Sequence, residues 1–389
     1  MKYDFDKVIE RRDTPSMKWN GGSLVSNNVD QNTLALFTAD MDFMCAEPII
    51  KAMHEVADFG IFGYSTPVGM PQYYQSVTNW FKRRHDWEFS EDSICFINGT
   101  LDAIKIAIRA YTDKGDKVLI TRPVYPPFTY CIEEEKRIVE NSPLINEDGY
   151  YTMDFEDIEK KAQDPKVKMF LLCNPHNPVG RVWSLKELIR LSEICERNHV
   201  VLVSDEVHCD LLRRGVKFTT VAKAGSKDNT VVLTAINKTF NCAGLKCTHV
   251  VIQDQELMNK FKQSAGWVTT NPFSVAATMA AYNEGEEWLE QLIDYLDETM
   301  NWVIEYVKNN MPGVKVYIPE GTYVLWMDFR GLGLSAEELH ERIFKKCKVI
   351  LEDGEEFDPD GGAGFLRICL PSPRSIIQEA FERIARELY

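Results

Sequence analysis

Short apolar runs alternate with helical patterns over the middle of the chain. The runs are rich in β-branched residues and have the length of single strands, while the segments between them carry apolar residues at helical spacing. This alternation predicts a parallel sheet covered by helices on both faces. The predicted strands are Ile94 to Ile97, Lys117 to Thr121, Lys168 to Cys173, Val200 to Ser204, Thr230 to Ala235 and Thr248 to Ile252.

Helical spacing and capping signals predict helices between and after these strands. One runs from Leu101 to Tyr111, and another begins at a capping box formed by Ser184 and Glu187. A third runs from about Glu286 to Asn310 and is closed by Pro312-Gly313. This third helix is long enough to leave one domain and enter another.

The pattern changes after the third helix. Strand-like runs at Val314 to Ile318, Tyr323 to Phe329 and Phe365 to Leu370 surround a capping-box helix from Ser335 to Cys347, which predicts a smaller α+β domain. The N-terminal segment, with its polar stretch Gly21 to Asn32, has weak periodicity and is expected to lie against that domain. The predicted division is residues 1–55 as this N-terminal segment, 56–287 as the large domain and 288–389 as the small domain.

Composition and charge narrow the possible functions. The 389 residues are 44% hydrophobic and 26% charged, which is typical of globular proteins. A net charge of −15 repels a phosphate backbone, so nucleic-acid binding is disfavoured. No stretch resembles a signal peptide or approaches the roughly 18 apolar residues of a membrane span. Ten scattered cysteines without metal-ligand spacing predict reduced thiols, no metal site and a cytoplasmic protein.

Polar residues or glycines follow five of the predicted strands within a few positions. In open α/β sheets, ligands bind outside the carboxyl ends of the strands, so these five segments are expected to meet at one edge. The segments are Asn98-Gly99-Thr100, Arg122 to Tyr125, Asn174 to Pro178, Asp205 to His208 and Asn237-Lys238-Thr239.

Three of these features have a chemical interpretation beside a structural one. Gly99 and Thr100 begin a helix directly after a strand, which suits a phosphate, although Thr100 could simply cap that helix. Asp205 could bind a ring nitrogen or serve as a turn residue. Lys238 lies among apolar and small residues, where burial lowers the pKa of an amine. Together they predict a site for a phosphorylated aldehyde, with an amine for a Schiff base and a carboxylate for the ring nitrogen.

At these residues the sequence resembles the fold-type I pyridoxal 5'-phosphate (PLP) enzymes of the class I/II aminotransferase superfamily. The likeness covers nearly the whole chain. Asn174 to Gly180 is similar to the superfamily element Asn-Pro-x-Asn-Pro-x-Gly, and Lys238 follows Asp205 by 33 residues, as the superfamily's Schiff-base lysine does. The resemblance implies the α/β fold called PLP-dependent transferase fold type I, which has a mainly parallel seven-stranded sheet in a large domain and a smaller α+β domain.

Further motifs resemble one branch of the superfamily, the carbon-sulfur β-lyases of the MalY/PatB or cystathionine β-lyase type. The implied reaction is β-elimination on cystathionine or a related cysteine S-conjugate, giving a thiol, pyruvate and ammonia. The motifs are Tyr3 to Asp6, Arg11 to Trp19, Ala39 to Phe43, Phe62 to Ser65, Asp205 to Asp210 and Lys238 to Asn241.

The resemblance also implies a role for each site residue. Lys238 forms the Schiff base and carries protons, Asp205 contacts the pyridine nitrogen, and Tyr125 stacks on the ring; these three are the implied catalytic residues. The implied cofactor-binding residues are these three with Gly99, Thr100, Asn177, His208, Lys246 and Tyr64, the last reaching the phosphate from a partner subunit. The implied substrate-binding residues are Arg367, Tyr64 and Asn177, with the Arg367 fork gripping the α-carboxylate.

Some positions depart from the superfamily pattern or keep a structural alternative. Many members have a serine three residues before the lysine and an arginine eight after it, whereas this chain has Ala235 and Lys246. Lys246 is therefore either a phosphate ligand or a solvated surface lysine. His208 stands where aminotransferases commonly have tyrosine. Tyr125 could be a core aromatic, and Arg367 could form a surface ion pair.

The residues leave the reaction open. Lysine, aspartate and arginine serve β-elimination and transamination alike, so the alternative is an aminotransferase acting on an amino acid and a 2-keto acid. A third possibility is a PLP-binding regulatory protein without turnover. The resemblance favours the lyase and implies a homodimer with shared active sites.

Overall fold

The protein is described here by a computed structural model, which covers residues 3–20, 30–225 and 227–389. The strands are β1 (Leu34–Ala35), β2 (Ile94–Ile97), β3 (Lys117–Ile120), β4 (Ile138–Asn141), β5 (Ile145–Glu147), β6 (Tyr150–Thr152), β7 (Val167–Cys173), β8 (Val201–Asp205), β9 (Thr230–Thr234), β10 (Thr248–Ile252), β11 (Lys315–Val316), β12 (Val324–Asp328), β13 (Val349–Ile350), β14 (Glu352–Asp353) and β15 (Phe365–Cys369). The helices are α1 (Met17–Asn20), α2 (Glu47–Phe59), α3 (Pro71–His85), α4 (Thr100–Tyr111), α5 (Pro127–Glu134), α6 (Phe155–Ala162), α7 (Leu185–Arg197), α8 (Ile236–Thr239), α9 (Gln255–Ala265), α10 (Pro272–Glu284), α11 (Glu286–Asn310), α12 (Ala336–His340), α13 (Gly354–Phe357) and α14 (Arg374–Leu388).

The largest sheet has seven strands in the order β2-β10-β9-β8-β7-β3-β4. The strands from β9 to β4 in that order pair in parallel, and β10 runs antiparallel to both of its neighbours. Two reversals bring β2 back to the direction of β9. The carboxyl ends of β2, β3, β7, β8 and β9 therefore lie at one edge, and the prediction of a mainly parallel seven-stranded sheet is confirmed.

Alternate residues of the central strands pack into two cores, one on each face of the sheet. In β7, Phe170 and Leu172 join the core covered by α3, α7 and α10, while Met169 and Leu171 join the core under α4, α5 and α9. Side chains alternate between faces along a strand, so a strand buried on both faces needs an unbroken apolar run. That requirement explains why the central strands were predicted from the sequence.

β4 was not among the predicted strands. It lies at the edge of the sheet, pairs only with β3, and ends in Glu140 and Asn141. An edge strand with polar residues lacks the apolar run that marks its buried neighbours.

The predicted helices agree closely with α4, α7 and α11. The capping box at α7 is present: Glu187 N donates to Ser184 Oγ at 3.3 Å, and Ser184 N donates to Glu187 Oε2 at 2.8 Å. The helix predicted from Ser335 to Cys347 is divided into α12 and a π-helical segment, Glu341–Lys346. In the described residues, no helix is both long enough and apolar enough to cross a membrane.

A second sheet lies in the C-terminal part of the chain, with the antiparallel order β11-β12-β15-β14. The N-terminal part reaches this region through β1, which pairs in parallel with β13. Most of the polar stretch from Gly21 to Asn32 lies outside the described residues, and the domain boundaries stay a prediction.

A buried ion pair joins the N-terminal segment to the same region. Lys18 has no exposed side-chain surface, and its Nζ donates to Asp42 Oδ2 at 2.8 Å and to Ser372 Oγ at 3.0 Å. Although burial opposes ionisation of Asp42, Lys18 and the hydrogen bonds from Trp19 and Ser372 hold its pKa below the usual value. The pair fixes residues 40–42 against the C-terminal sheet region.

We expect Lys18→Met to lower the free energy of unfolding by about 2 kcal/mol, because it removes the fully buried one of the two cations that pair with Asp42 and leaves only Arg11, at 2.7 Å. Denaturant unfolding of the purified protein measures the change. The control is Lys82→Met, which breaks an exposed pair with Glu88 and should cost less than about 1 kcal/mol. Equal effects of the two substitutions would contradict the stabilising role of the buried pair.

Candidate active site

A cavity of about 400 Å³ opens at the carboxyl edge of the seven-stranded sheet. Its lining comes from segments that follow β2, β3, β7, β8 and β9, together with Ala39 from the N-terminal part. The lining includes Gly99, Thr100, Tyr125, Asn177, Asp205, His208, Lys238 and Lys246. The structure therefore brings together eight of the ten residues that the sequence analysis assigned to the site.

Lys238 is held by the short helix α8, which follows β9. Its Nζ donates a hydrogen bond to the carbonyl oxygen of Ala39 at 2.7 Å. Burial lowers the pKa of this amine, and the nearby guanidinium of Arg367 adds to the effect, while the Cys369 thiol and the Asp40 and Asp205 carboxylates oppose it. A lowered pKa leaves more of the amine neutral near pH 7, which a nucleophile or proton acceptor requires.

A buried hydrogen-bond cluster around Asp210 holds α8 in place. Asp210 accepts hydrogen bonds from Thr239 Oγ1 at 3.0 Å and from Trp80 Nε1 at 3.2 Å, and it contacts His85 Nε2 at 2.8 Å. Together with Cys209, His85 and Asp210 form the single close group of possible metal ligands found in the described ranges. The hydrogen bonds already engage both Asp210 oxygens, so we assign the cluster a structural role in holding Lys238.

Asp205 ends β8 and faces the cavity. Its Oδ1 accepts a hydrogen bond from Val207 N at 3.2 Å, and Oδ2 has no hydrogen-bond partner within the described part of the chain. Burial raises the pKa of Asp205 to about 6, although Val207 N–H and Lys238 favour the charged form. At pH 7 Asp205 is therefore a carboxylate in most molecules. In that form it can accept a hydrogen bond from a protonated ring nitrogen.

His208 and Asn177 line the same wall of the cavity. The His208 ring stands edge-on to Tyr323, with centroids 5.3 Å apart, and its Nδ1 is buried without a partner in the described residues. Burial and the positive charges of Lys238 and Arg367 hold its pKa well below the usual value, so the imidazole is neutral. Asn177 Oδ1 accepts a hydrogen bond from Arg367 Nη1 at 3.1 Å.

The N-terminus of α4, at Gly99 and Thr100, lies at one end of the cavity. Gly99 has φ 113°, a conformation that side chains disfavour, and no side chain caps the helix. Free N–H groups and the helix dipole suit an anion there. Thr100 Oγ1 lies 3.0 Å from Thr248 Oγ1, and Lys246, in a left-handed turn, also lines this cavity.

The chemistry of these groups matches the phosphate, the ring nitrogen and the ring hydroxyl of pyridoxal phosphate. An uncapped helix end suits the phosphate, Asp205 Oδ2 is open to a ring nitrogen, and the unpartnered His208 Nδ1 is available to a ring hydroxyl. Tyr125 lines the cavity next to Phe128, and burial raises the pKa of its phenol, which keeps it neutral and suited to stacking.

Two assigned residues lie outside the cavity lining. Arg367 is in β15 of the second sheet and reaches the cavity wall through its hydrogen bond to Asn177. Tyr64 is 90% exposed and packs against Trp267 with ring centroids 5.7 Å apart. In this chain alone, Tyr64 contributes nothing to the cavity.

Two residues around the site were not predicted from the sequence. Tyr323 donates to the Ala39 carbonyl at 3.0 Å, the same oxygen that Lys238 binds, and Glu352 pairs with Arg367. Tyr323 was recognised only as part of a strand, and nothing local marks Glu352. Each contact joins residues far apart in the chain: Glu352 meets Arg367 through the pairing of β14 with β15, and Tyr323 meets the segment that follows β1.

A sequence profile described as aminotransferase class I and II matches residues 31–384. The chain belongs to this family. The family resemblance found in the sequence is thereby confirmed.

Known relatives cover the chain from end to end. Cystathionine beta-lyase PatB of Bacillus subtilis strain 168 is 40% identical over 390 residues, which cover 99% of this chain and 100% of PatB. A PLP-bound putative aminotransferase from Clostridium difficile 630 has a TM-score of 0.95 and 39% identity over 100% of both chains. The PLP-bound C-S lyase from Staphylococcus hominis has a TM-score of 0.93 and 33% identity, covering 100% of this chain and 98% of that one. The predicted fold type I is confirmed.

Lys238 is expected to be the residue that bonds an aldehyde at this site, since burial lowers the pKa of its amine. Protein incubated with pyridoxal phosphate is reduced with borohydride, digested and mapped by mass spectrometry. The pyridoxyl group should lie on the peptide that contains Lys238. Lys238→Ala should abolish the label, and Lys246→Ala, at the same cavity, should retain it. A label on Lys246 of the unmodified protein would contradict the assignment.

Proposed function

We propose that this chain is a PLP-dependent carbon-sulfur β-lyase, which cleaves cystathionine or a related cysteine S-conjugate to a thiol, pyruvate and ammonia. The observation that carries the proposal is 40% identity to cystathionine beta-lyase PatB along the whole length of both proteins. The cavity supports it, because it joins a partly buried amine, a buried carboxylate and an uncapped helix end.

The chain's residues would divide the work of holding the cofactor. Gly99, Thr100 and the start of α4 would hold the phosphate, with Lys246 beside them. Asp205 would accept a hydrogen bond from the ring nitrogen, and Tyr125 would cover the ring. When bound, pyridoxal phosphate supplies an aldehyde that bonds to amines and a ring that takes up electrons from the substrate's Cα.

Lys238 then moves the protons of the reaction. Its Nζ, with a lowered pKa, accepts the proton from the substrate's Cα and can deliver it to the departing sulfur. Arg367 holds the α-carboxylate and thereby orients the Cα–H bond toward Lys238. The bond that breaks is Cβ–S, and one water is consumed overall as the remaining fragment becomes pyruvate and ammonia.

An aminotransferase is the second candidate. The similar structure from Clostridium difficile is named a putative aminotransferase, and the same lysine, aspartate and arginine would serve transamination. The two reactions differ in whether the β-substituent leaves and whether a 2-keto acid is needed. Substrate requirements therefore separate them.

We further propose a homodimer with shared active sites. Around the exposed Tyr64, the surface carries a group of exposed apolar side chains, and large exposed apolar patches mark protein interfaces. The group comprises Phe59 and Ile61, which line the same groove as Tyr64, and Trp267, which packs against its ring. In a two-fold dimer formed through this patch, Tyr64 would reach the phosphate in the partner's cavity, as the family resemblance implies. The cytoplasmic location and the lack of nucleic-acid binding stay predictions from the sequence.

Incubation with cystathionine and no keto acid should release pyruvate in large molar excess over enzyme, because β-elimination regenerates the cofactor in every cycle. Lactate dehydrogenase coupled to NADH oxidation measures the pyruvate. Lys238→Ala is the control and should lose at least about 1,000-fold in rate, since it removes the proton acceptor. Turnover that begins only after a 2-keto acid is added would establish the aminotransferase instead.

Mixing Lys238→Ala with Tyr64→Ala after mild dissociation should restore activity if Tyr64 serves the partner's site. In a hybrid dimer one site then carries both substitutions and the other carries neither. Random pairing makes about half the dimers hybrids, so recovery should approach roughly a quarter of the wild-type rate.

Each variant subjected alone to the same treatment is the control for that mixing experiment. If Tyr64 serves its own chain, every site keeps one substitution, and mixing restores nothing. Tyr64→Phe, which keeps the ring without the hydroxyl, shows whether the hydroxyl carries the effect.

A further inference from the structure

Three acceptors of the chain itself engage the guanidinium of Arg367. Nη1 donates to Asn177 Oδ1 at 3.1 Å, and Nη2 donates to the carbonyl oxygen of Phe37 at 2.7 Å and to Glu352 Oε2. The Arg367 side chain is 2% exposed, and its Nε is buried without a partner in the described residues. The remaining donors are one N–H on Nη1 and the N–H on Nε.

This arrangement leaves no complete edge for a second carboxylate. A bidentate carboxylate takes two parallel N–H groups from one edge of the guanidinium. The two edges that offer such a pair both include Nη2, once with Nε and once with Nη1. Because both Nη2 hydrogens are taken, a substrate carboxylate has to displace either the Phe37 carbonyl or Glu352.

Glu352 is the partner that can move. The Phe37 carbonyl is held in place, since Leu36 N donates to Ile350 O at 2.9 Å, Cys369 N donates to Leu36 O at 2.8 Å, and Cys369 Sγ lies 3.2 Å from the carbonyl oxygen itself. Glu352 lies directly opposite Arg367 in the β14–β15 pair, and its side chain is 27% exposed. Within the described chain, Arg367 is its one side-chain hydrogen-bond partner.

We propose that Glu352 occupies the guanidinium of Arg367 in the free enzyme and competes with the substrate's α-carboxylate for it. Glu352 is then a positioning residue that sets the affinity of the site for amino acids and eases release of a carboxylate product. The proposal rests on the proposed function, because it takes Arg367 as the ligand of the α-carboxylate. Two carboxylates beside one guanidinium repel each other, so ligand binding is weaker than at an unpaired arginine.

Protonation of Glu352 would relieve that repulsion. Burial raises its pKa and Glu356 adds to the effect, whereas Arg367 and Lys238 lower it. The other titratable groups that face it are Tyr125, Tyr130 and Cys369. A bound α-carboxylate raises this pKa further, so binding takes up a proton and strengthens as pH falls.

The test compares L-alanine with ethylamine, which is alanine without its carboxylate. Alanine has no leaving group at Cβ, so its binding to the PLP-loaded enzyme, followed by cofactor absorbance, does not depend on β-elimination. Glu352→Gln removes the charge but keeps an acceptor oxygen. We expect it to bind alanine about tenfold more tightly than wild type and to leave the affinity for ethylamine unchanged.

Glu355→Gln is the matched control. It removes the same charge from an exposed side chain of α13, and within the described residues no hydrogen bond or ion pair joins that side chain to Arg367 or Glu352, so neither affinity should change. Alanine that binds Glu352→Gln no more tightly than wild type overturns the proposal. Failure of both the wild-type enzyme and the variant to bind alanine also overturns the proposal.

A second measurement needs the wild-type enzyme alone and decides the matter if the variant does not fold. The ratio of the affinity for alanine to that for ethylamine should rise from about pH 8 to about pH 6, where the alanine carboxylate stays ionised. A ratio that stays flat overturns the proposal. Failure to release pyruvate from cystathionine would instead count against the lyase function, so the two failures are distinguishable.

Discussion

The direction of the strands in the seven-stranded sheet is the constraint on which the rest of the structure depends. Parallel pairing from β9 to β4, and two reversals through β10 to β2, place five carboxyl ends at one edge. Each of those ends is followed by polar residues or a glycine. Since the strands themselves are filled with apolar side chains, the polar groups can meet only where the strands stop.

Burial at that edge acts on the acid and the base in opposite directions. It lowers the pKa of Lys238 and raises that of Asp205 to about 6, because each group loses the solvation of its charged form. The His208 imidazole is neutral for the same reason. A site that must move a proton at neutral pH gains from the shift of Lys238, because a larger share of its amine is neutral and able to accept a proton.

The second sheet completes the site from the other side. Ala39, in the segment that follows β1, accepts hydrogen bonds from both Lys238 and Tyr323, so one backbone oxygen joins α8 to the second sheet. Arg367 reaches across to Asn177 in the same way. These contacts make the position of Arg367 depend on how the second sheet and the N-terminal segment pack against the large sheet.

The sequence by itself determined the central strands, the long helix α11, the family and most of the cavity lining. The reason is local: buried strands need unbroken apolar runs, and Lys238, Asp205 and Asn177 lie in short motifs next to them. Only the tertiary structure decided the edge strand β4, the shared oxygen of Ala39 and the pairing of Glu352 with Arg367. Those features arise from residues far apart in the chain, and a strand register that places Glu352 opposite Arg367 leaves no mark in the sequence around either residue.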